Sequence, residues 1–556
     1  MLKPISNQVY NVKYPSHYQN KCIKCGNKVN FLYPGRKRRY IDFTGPFYEK
    51  RYYYSCTNPE CSLFNRAINP TLSPALPGKH YSLSVWKYIG RKAKVYNNNA
   101  SKIREEIEGE YGLKIAENTI RNIIDEIDVF LSQKIDENTK RIIQDQNCML
   151  IALDGQKPEE GSDALWLFVD VLSNRVLKVV MLKSADHITL YDQIKEIQAI
   201  YNVEIIGFVS DKQGSIVKMH DAFFSDIPHQ YCQFHFLQNI WNFLEVKDSH
   251  LQKELRSKVN HLYITSASKS QTIIVPGKGK VNFREHFSKV EKKLRKIVNT
   301  KLKKFEKLRG VQTYDKLNAY VLKIDKVVSL KDESHRVSKV LMGASDAIKQ
   351  SLNEYRQLYE DCIELFEYFQ KIRGILNGKY GNATTHKATF ENYFVSLWEK
   401  SKNQEGISKY SDLKSTMPTY LMNKNEILHQ WVRLSRSYSD GLFQYYKFPI
   451  QIRTNSKMEQ KFGQEKSRII KRSGKPNDGS QIRIRGEYEL KQIYAGSSEV
   501  KTIISSIECD YSKESIYCEL KKLEEKRRNE SVDWDNNIPE EDGLLELYED
   551  EDLKKT

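Results

Sequence analysis

A chain of 556 residues with 39% hydrophobic content and a formal charge of +18 has apolar material for ordinary cores and is too long for one domain, so three or four are expected. No apolar run approaches the roughly 20 residues that cross a bilayer and the N-terminus has no signal-peptide core, which argues against a membrane or secreted class and predicts a soluble cytoplasmic protein, nucleoid-associated through its basic excess. Nine cysteines, odd in number and unevenly spread, are no disulfide framework in so large a chain.

The first motif is Cys22-Ile23-Lys24-Cys25-Gly26, followed by Cys56-Thr57-Asn58-Pro59-Glu60-Cys61. Two such thiolate pairs on tight turns close a tetrahedral Zn²⁺ site, and Gly26 and Asn58-Pro59 supply the turn chemistry. Residues 1–69 therefore read as a zinc-ribbon-like module, with short strands at Tyr40 to Phe43 and Lys50 to Ser55. The wider second spacing departs from the usual pattern, and four unrelated reduced cysteines is the plainer alternative. So small a segment buries little core, so its zinc is expected to be structural. Arg36-Lys37-Arg38-Arg39 is either a phosphate contact or a solvated loop.

Residues 70–80, with Pro70, Pro74 and Pro77, read as a linker. Residues 81–140 read as a helix-turn-helix domain, with a break at Glu110-Tyr111-Gly112-Leu113 and a second helix from Ala116. Isoleucines 103, 107, 115, 120, 123, 124 and 127 would face a small core, while Glu117, Asn118, Thr119 and Arg121 project where a recognition helix presents its base-reading groups. A plain helical packing domain is the alternative.

From 141 to 240 the pattern becomes β-β-β-α-β. One apolar run, Cys148 to Leu153, stops at Asp154-Gly155, and another, Val203 to Ser210, stops at Asp211. Between them lie strand-like runs Leu165 to Leu172 and Val176 to Leu182, joined by Ser173-Asn174-Arg175, and a helix from His187 to Tyr201. If the first and fourth strands are neighbours, Asp154 and Asp211 come side by side. Paired carboxylates then need a cation, a shared proton or solvent, and Mg²⁺ with oxygen ligands is the usual cation in phosphodiester chemistry. The plain reading is that each aspartate merely ends a strand. Lys212 is a poor neutralising partner, because successive strand residues point to opposite faces.

Cys232-Gln233-Phe234-His235 follows in a strand-to-helix passage. About 215 residues then precede Thr454, far too many for a loop, and charge-rich amphipathic patterns make 241–450 an all-helical insertion. Its first part is basic, from Lys289 to Arg309, including Lys301, Lys303 and Lys304, and Gly277-Lys278-Gly279-Lys280 before it reads as a loop. Trp398 and Trp431 are expected in helical cores, with base stacking the lesser reading. The return segment 451–508 carries Thr454-Asn455-Ser456-Lys457-Met458-Glu459 on the start of a basic helix with Lys466, Arg468, Lys471 and Arg472, and Ser480 to Ser497 reads as a small strand pair. Glu459 and Glu465 face different ways on that helix. Residues 509–556 end in an acidic tail read as disordered.

The ordered set of Asp154, Asp211, Cys232-x-x-His235 and Thr454-Asn455-x-x-x-Glu459 resembles the DDE transposases of the bacterial insertion-sequence and Mutator-like groups. The match runs from about Cys148 to Asn239 and resumes from about Ile452 to Gly474. The resemblance implies a multidomain α+β chain with a ribonuclease-H-like core, and Asp154, Asp211 and Glu459 as catalytic ligands of two Mg²⁺ or Mn²⁺ ions. It further implies cleavage and strand transfer on double-stranded DNA at element ends and target, in a homodimer or larger assembly. Cys232 and His235 would brace the second aspartate's loop or join another metal site, and Lys466, Arg468, Lys471 and Arg472 would hold phosphates. A transposase-derived DNA-binding regulator without activity, or a ribonuclease-H-like nuclease, stays open.

Overall fold

A computed structural model of the chain describes residues 9–536 other than 72, 159–161, 261, 263–271, 276–278, 300–304, 330–334, 403–418, 475–478 and 508–512. The acidic tail, with Glu540 to Asp552, and Lys301, Lys303 and Lys304 of the basic run lie outside the described residues. The chain divides into two compact units. One comprises Met1–Phe208, Gln213–Ile227 and Ser456–Thr556, the other Val209–Lys212 and Pro228–Asn455.

The first unit opens with β1 (Val9–Val12), β2 (Val29–Pro34), β3 (Arg38–Asp42) and β4 (Gly45–Cys56). Long β4 is the spine. Antiparallel β2 and β3 pair with its two halves, and β1 pairs in parallel with Tyr48 to Arg51. Its run of aromatic residues suits a pleated strand, and the turn into it closes on Gly45, whose φ of 110° is a conformation other residues avoid.

Three helices follow, α1 (Leu83–Lys94), α2 (Ala100–Tyr111) and α3 (Glu117–Gln146). Ser82 and Asn99 cap α1 and α2 by accepting the N–H of Val85 and Lys102, and Gly112 in the left-handed region ends α2 where the sequence breaks. Next come β5 (Cys148–Gln156), β6 (Ala164–Asp170), β7 (Arg175–Leu182), α4 (His187–Tyr201), β8 (Glu204–Ser210) and α5 (Gly214–Phe223). The strand order β7-β6-β5-β8 sets β8 beside β5. Met149, Ile151 and Leu153 of β5 join Trp166 and Phe168 in one core with Leu190, Ile194 and Ile197 of α4 and Ile216 and Met219 of α5. By alternation the opposite face of β5 carries Leu150, Ala152, Asp154 and Gln156.

The second unit begins with β9 (His229–Tyr231) and α6 (Gln233–Asn260). A short antiparallel pair follows, β10 (Thr272–Val275) and β11 (Gly279–Asn282), so the insertion is not all-helical. Thr-Ile-Ile-Val is a β-branched run too short to show a period within so charged a stretch, and Gly279-Lys280, expected in a loop, starts β11. Helices α7 (Phe283–Val298), α8 (Arg309–Ser329), α9 (His335–Glu354), α10 (Arg356–Asn377), α11 (Ala383–Lys402) and α12 (Lys424–Tyr438) complete it. Leu251 and Leu255 of α6 pack with Leu294, Leu317, Val321 and Ile348. Trp431 is fully buried on α12, as expected of a core residue.

The chain returns to the first unit in α13 (Ser456–Ser473), α14 (Gly479–Ser505), broken at Gly496, and α15 (Lys513–Asn536). The strand pair expected over Ser480 to Ser497 is helix. The alternation Ile482-Arg483-Ile484-Arg485 imitates a strand, but α14 is enclosed on several sides and buries Tyr488, Glu489, Leu490, Lys491 and Gln492 in succession. Its Ile484, Tyr488 and Ile503 share one core with Ile89, Ile103, Ile124 and Ile127 of α1, α2 and α3, and Ile516 and Leu523 of α15 complete it. The C-terminal region, read from sequence only as an acidic tail, thus contributes a packed helix.

Ions line that core. Lys94 is fully buried between Asp128 and Glu489, Arg485 meets Asp125 and Asp128, and Glu489 also meets Arg472. Burial pulls the Lys94 pKa down. Removing one member of such a network leaves an uncompensated charge, which costs several kcal/mol, about 3–5.

Candidate functional site

The four cysteines come together. Cys22 Sγ lies 3.9 Å from Cys61 Sγ and Cys25 Sγ lies 3.4 Å from Cys56 Sγ, close to the edge of about 3.8 Å that a tetrahedron with Zn–S near 2.3 Å requires. Backbone N–H groups of Lys24 and Asn58 point at Cys22 Sγ and Cys56 Sγ, as thiolates need. All four ligand atoms lie within 4.8 Å of one another, and among the described residues no other group of three or more His, Cys, Asp or Glu does so. The donor set fits structural zinc.

In the first unit, Asp154 stands near the end of β5, opposite Leu167 of β6, and accepts the N–H of Gly155 at 2.9 Å. Glu459 lies in the first turn of α13. Tyr494 of α14 lies by Asp154 and by α13. Burial, and then the charge of Asp154, raise its pKa, while Lys461, two residues beyond Glu459, holds its ammonium 5.4 Å from the Tyr494 ring. A third link is made by Gln156, which shares the Asp154 face of β5 and donates to Glu465 Oε2 at 3.1 Å.

Glu465 is fully buried, in the stripe Met458, Phe462, Glu465, Ile469 that α13 turns inward. Its Oε1 has no hydrogen-bond partner, and α14 approaches it at Gly486, where a Cβ would meet Glu465 Oε1 at 2.9 Å and Leu165 at 2.8 Å. Burial pushes its carboxyl up to about 7 against the opposing bond from Gln156. An acid whose folded pKa is raised keeps its proton where the unfolded chain has lost it, so stability falls as pH climbs from the ordinary 4.5 towards 7. Glu465→Gln is therefore expected to gain about 3 kcal/mol above pH 7 and almost nothing below pH 4.5, read from denaturant unfolding at both pH values.

Asp211 belongs to the second unit with its neighbours. Ser210 Oγ is 2.8 Å from His229 Nε2, and the Cys232 N–H donates to Ser210 O at 2.7 Å with the Cys232 side chain fully buried. Cys232 thus ties the aspartate's loop to the start of α6, and His235 stands one turn along that helix. Tyr438 is pushed up to about 12 by burial and then by the Asp211 charge. Lys212 lies 5.0 Å from its ring and 5.8 Å from that of Tyr231, and burial lowers the Lys212 pKa.

The basic residues fall in two groups. Arg121 and Glu117, from the start of α3, line a cleft of about 410 Å³ with Asn98, Asn99, Arg472 and Arg485. Two sequence-predicted contacts, Arg121 and Arg472, therefore share one cleft. Both are already engaged, Arg121 with Glu117 at 2.5 Å and Arg472 with Glu489. Lys466, Lys471 and Asn118 are exposed and Thr119 is half-buried, and burial lowers the Arg468 pKa.

No protein-family model and no curated protein matches this chain. Among solved structures it is similar to one described as the Drosophila P element transposase strand transfer complex, with 12% identity over 74% of this chain and 92% of that one and a TM-score of 0.33. A likeness so slight places no residue. No helix among the described residues is long and apolar enough to cross a membrane.

Gln156, Tyr494, Lys461 and Glu465 were not singled out from sequence as a group. Gln156 had a signal, since it sits two residues past Asp154 on a strand. The others depend on where α13 and α14 return, and no local pattern carries that.

Proposed function

We propose that the chain is a DDE-type transposase that cuts and joins DNA at the ends of a mobile element. The observation that supports this is Tyr494 of α14, whose pKa burial and then the Asp154 charge raise and whose ring lies 5.4 Å from the ammonium of Lys461 on α13, the helix that also carries Glu459. Some three hundred residues of sequence separate Asp154 from α13, and chance strand endings give no reason for that helix to pack so near the end of β5. Asp211, which follows β8 in the sequence, would be the third acid of the set.

Three carboxylates are the donor chemistry of a hard divalent cation, so Asp154, Asp211 and Glu459 would hold Mg²⁺ or Mn²⁺. When bound, such ions supply charge neutralisation at the phosphate and a more acidic attacking hydroxyl. Exposed Lys466 and Lys471 would meet the DNA backbone, and Arg121 would exchange Glu117 for a phosphate in the cleft it shares with Arg472. The zinc module and α2–α3 would bind the element's end, and the assembly would be a dimer or larger on paired ends.

The test incubates the purified chain with Mg²⁺ or Mn²⁺, DNA from the ends of its own element and a target duplex. Nicks ending in 3′-hydroxyl, and joining of that end to the target, support the reading. End binding without either product identifies a regulator, and cleavage without joining identifies a nuclease.

A further inference from the structure

The zinc module carries an aromatic and basic face, exposed at Phe31, Lys37 and Arg39 and half-buried at Tyr48, Lys50 and Tyr52, that the proposed chemistry does not use. Alternate residues of β4 share a face, so Tyr48, Lys50 and Tyr52 lie in a row, and the pairing of Phe31 with Tyr54 sets Phe31 at the end of it. Phe31 is 54% exposed, and its ring centroid is 6.3 Å from that of Tyr52. Lys37 sits over the Tyr48 ring at 4.0 Å and Lys50 near the Tyr52 ring at 5.9 Å. The rings hold these cations at the flank of the platform rather than letting them range through solvent.

Charge selects the occupant. Residues 1–69 contain twelve Lys and Arg against three Asp and Glu, and Glu49, one of the three, is buried against Arg51 and Ser73. A surface of that charge attracts a polyanion and repels a basic protein face. Spacing narrows the choice further, because alternate residues of a strand repeat at about 6.6 Å whereas bases in a duplex stack at about 3.4 Å. Rings at the wider spacing suit bases that have left the stack.

We propose that this face binds an unpaired strand of nucleic acid, with bases stacking on Phe31 and Tyr52 and phosphates meeting Lys37, Lys50 and Arg39. This does not depend on cleavage activity. A chain that only binds DNA would show it equally, so its failure and that of the transposase reading are separable.

The test measures anisotropy of a labelled oligothymidylate, and of a blunt duplex of the same length, with the full-length chain over a salt series. Phe31→Ala and Tyr52→Ala are each expected to weaken oligothymidylate binding about 10-fold or more, with the salt slope and duplex affinity unchanged. Lys37→Ala should instead flatten the salt slope. Phe31→Leu keeps apolar area without the ring and should behave like Phe31→Ala, while Tyr52→Phe should bind as the parent does. Zinc content confirms that each module is folded. Equal losses on single strand and duplex, full binding by Phe31→Leu, or a change in oligomeric state with binding intact would each overturn the proposal.

Discussion

Chelation of zinc, or Cys56→Ser, is expected to unfold residues 1–69 while the rest of the first unit stays folded. The module's buried cluster consists of Tyr14, Cys22, Val29, Cys56 and Cys61. Three of these five are the proposed ligands, so the core and the metal site are nearly the same atoms. Without the ion the thiolates repel, and the remaining apolar area is too small to fix the β4 spine. Zinc binding at structural sites of this type carries an apparent free energy of about 10–16 kcal/mol near neutral pH, and all of it is folding energy. The cores around Ile124 and around Leu153 contain no cysteine from the module, and Phe43 of the module packs only at the margin of the first, so both should outlast it. Limited trypsin digestion should cut between Lys13 and Arg66 within minutes of chelation and leave a resistant remainder. Acidification should act in the same direction, because protons compete with the metal for the thiolates. A protease-resistant module after complete removal of zinc would overturn the assignment.

The same cysteines show what was legible in the sequence. Spacing within each pair is local, and a turn of the kind made by Gly26 or Asn58-Pro59 leaves two sulfurs on one side whatever happens elsewhere. The hairpin of β6 and β7 was legible for a similar reason, since Asn174, with φ of 56°, marks its turn. Helix α14 was not. Arg485, Glu489 and Lys491 look like solvent-facing residues in a string of letters, yet each is enclosed because a distant partner meets it. Those partners are Asp125 and Asp128 for Arg485, Lys94 and Arg472 for Glu489, and Asp136 and Glu487 for Lys491. Burial of a paired charge erases the polar and apolar period on which sequence reading relies. Glu465 was hidden by the same effect, as its buried position follows from the α13 stripe only once Met458 and Ile469 are known to face inward. Thr454-Asn455 points to Glu459, whereas burial alone would point to Glu465.

That contrast gives the second large effect. Asp154→Asn, Asp211→Asn and Glu459→Gln are each expected to lower strand cleavage by about 10³-fold or more, equivalent to about 4 kcal/mol of transition-state stabilisation, with duplex binding within a few-fold of the parent. Amide replacement keeps shape and hydrogen-bonding capacity but removes the negative charge a hard cation needs. Glu465→Gln should keep cleavage near the parent level, because that carboxyl is fully enclosed, has its pKa pushed up to about 7 by burial and meets Gln156 rather than solvent. Glu459 is partly exposed on the first turn of α13, where a ligand can reach it. The two glutamates are six residues apart on one helix, so a general disturbance of α13 would affect both. Loss of cleavage in Glu465→Gln with activity retained in Glu459→Gln would reverse their roles and move the third acid to the buried stripe. Full strand transfer by any of the three charge-removing variants would defeat the three-carboxylate reading itself, since no other group of the chain has been given the task of holding the ions.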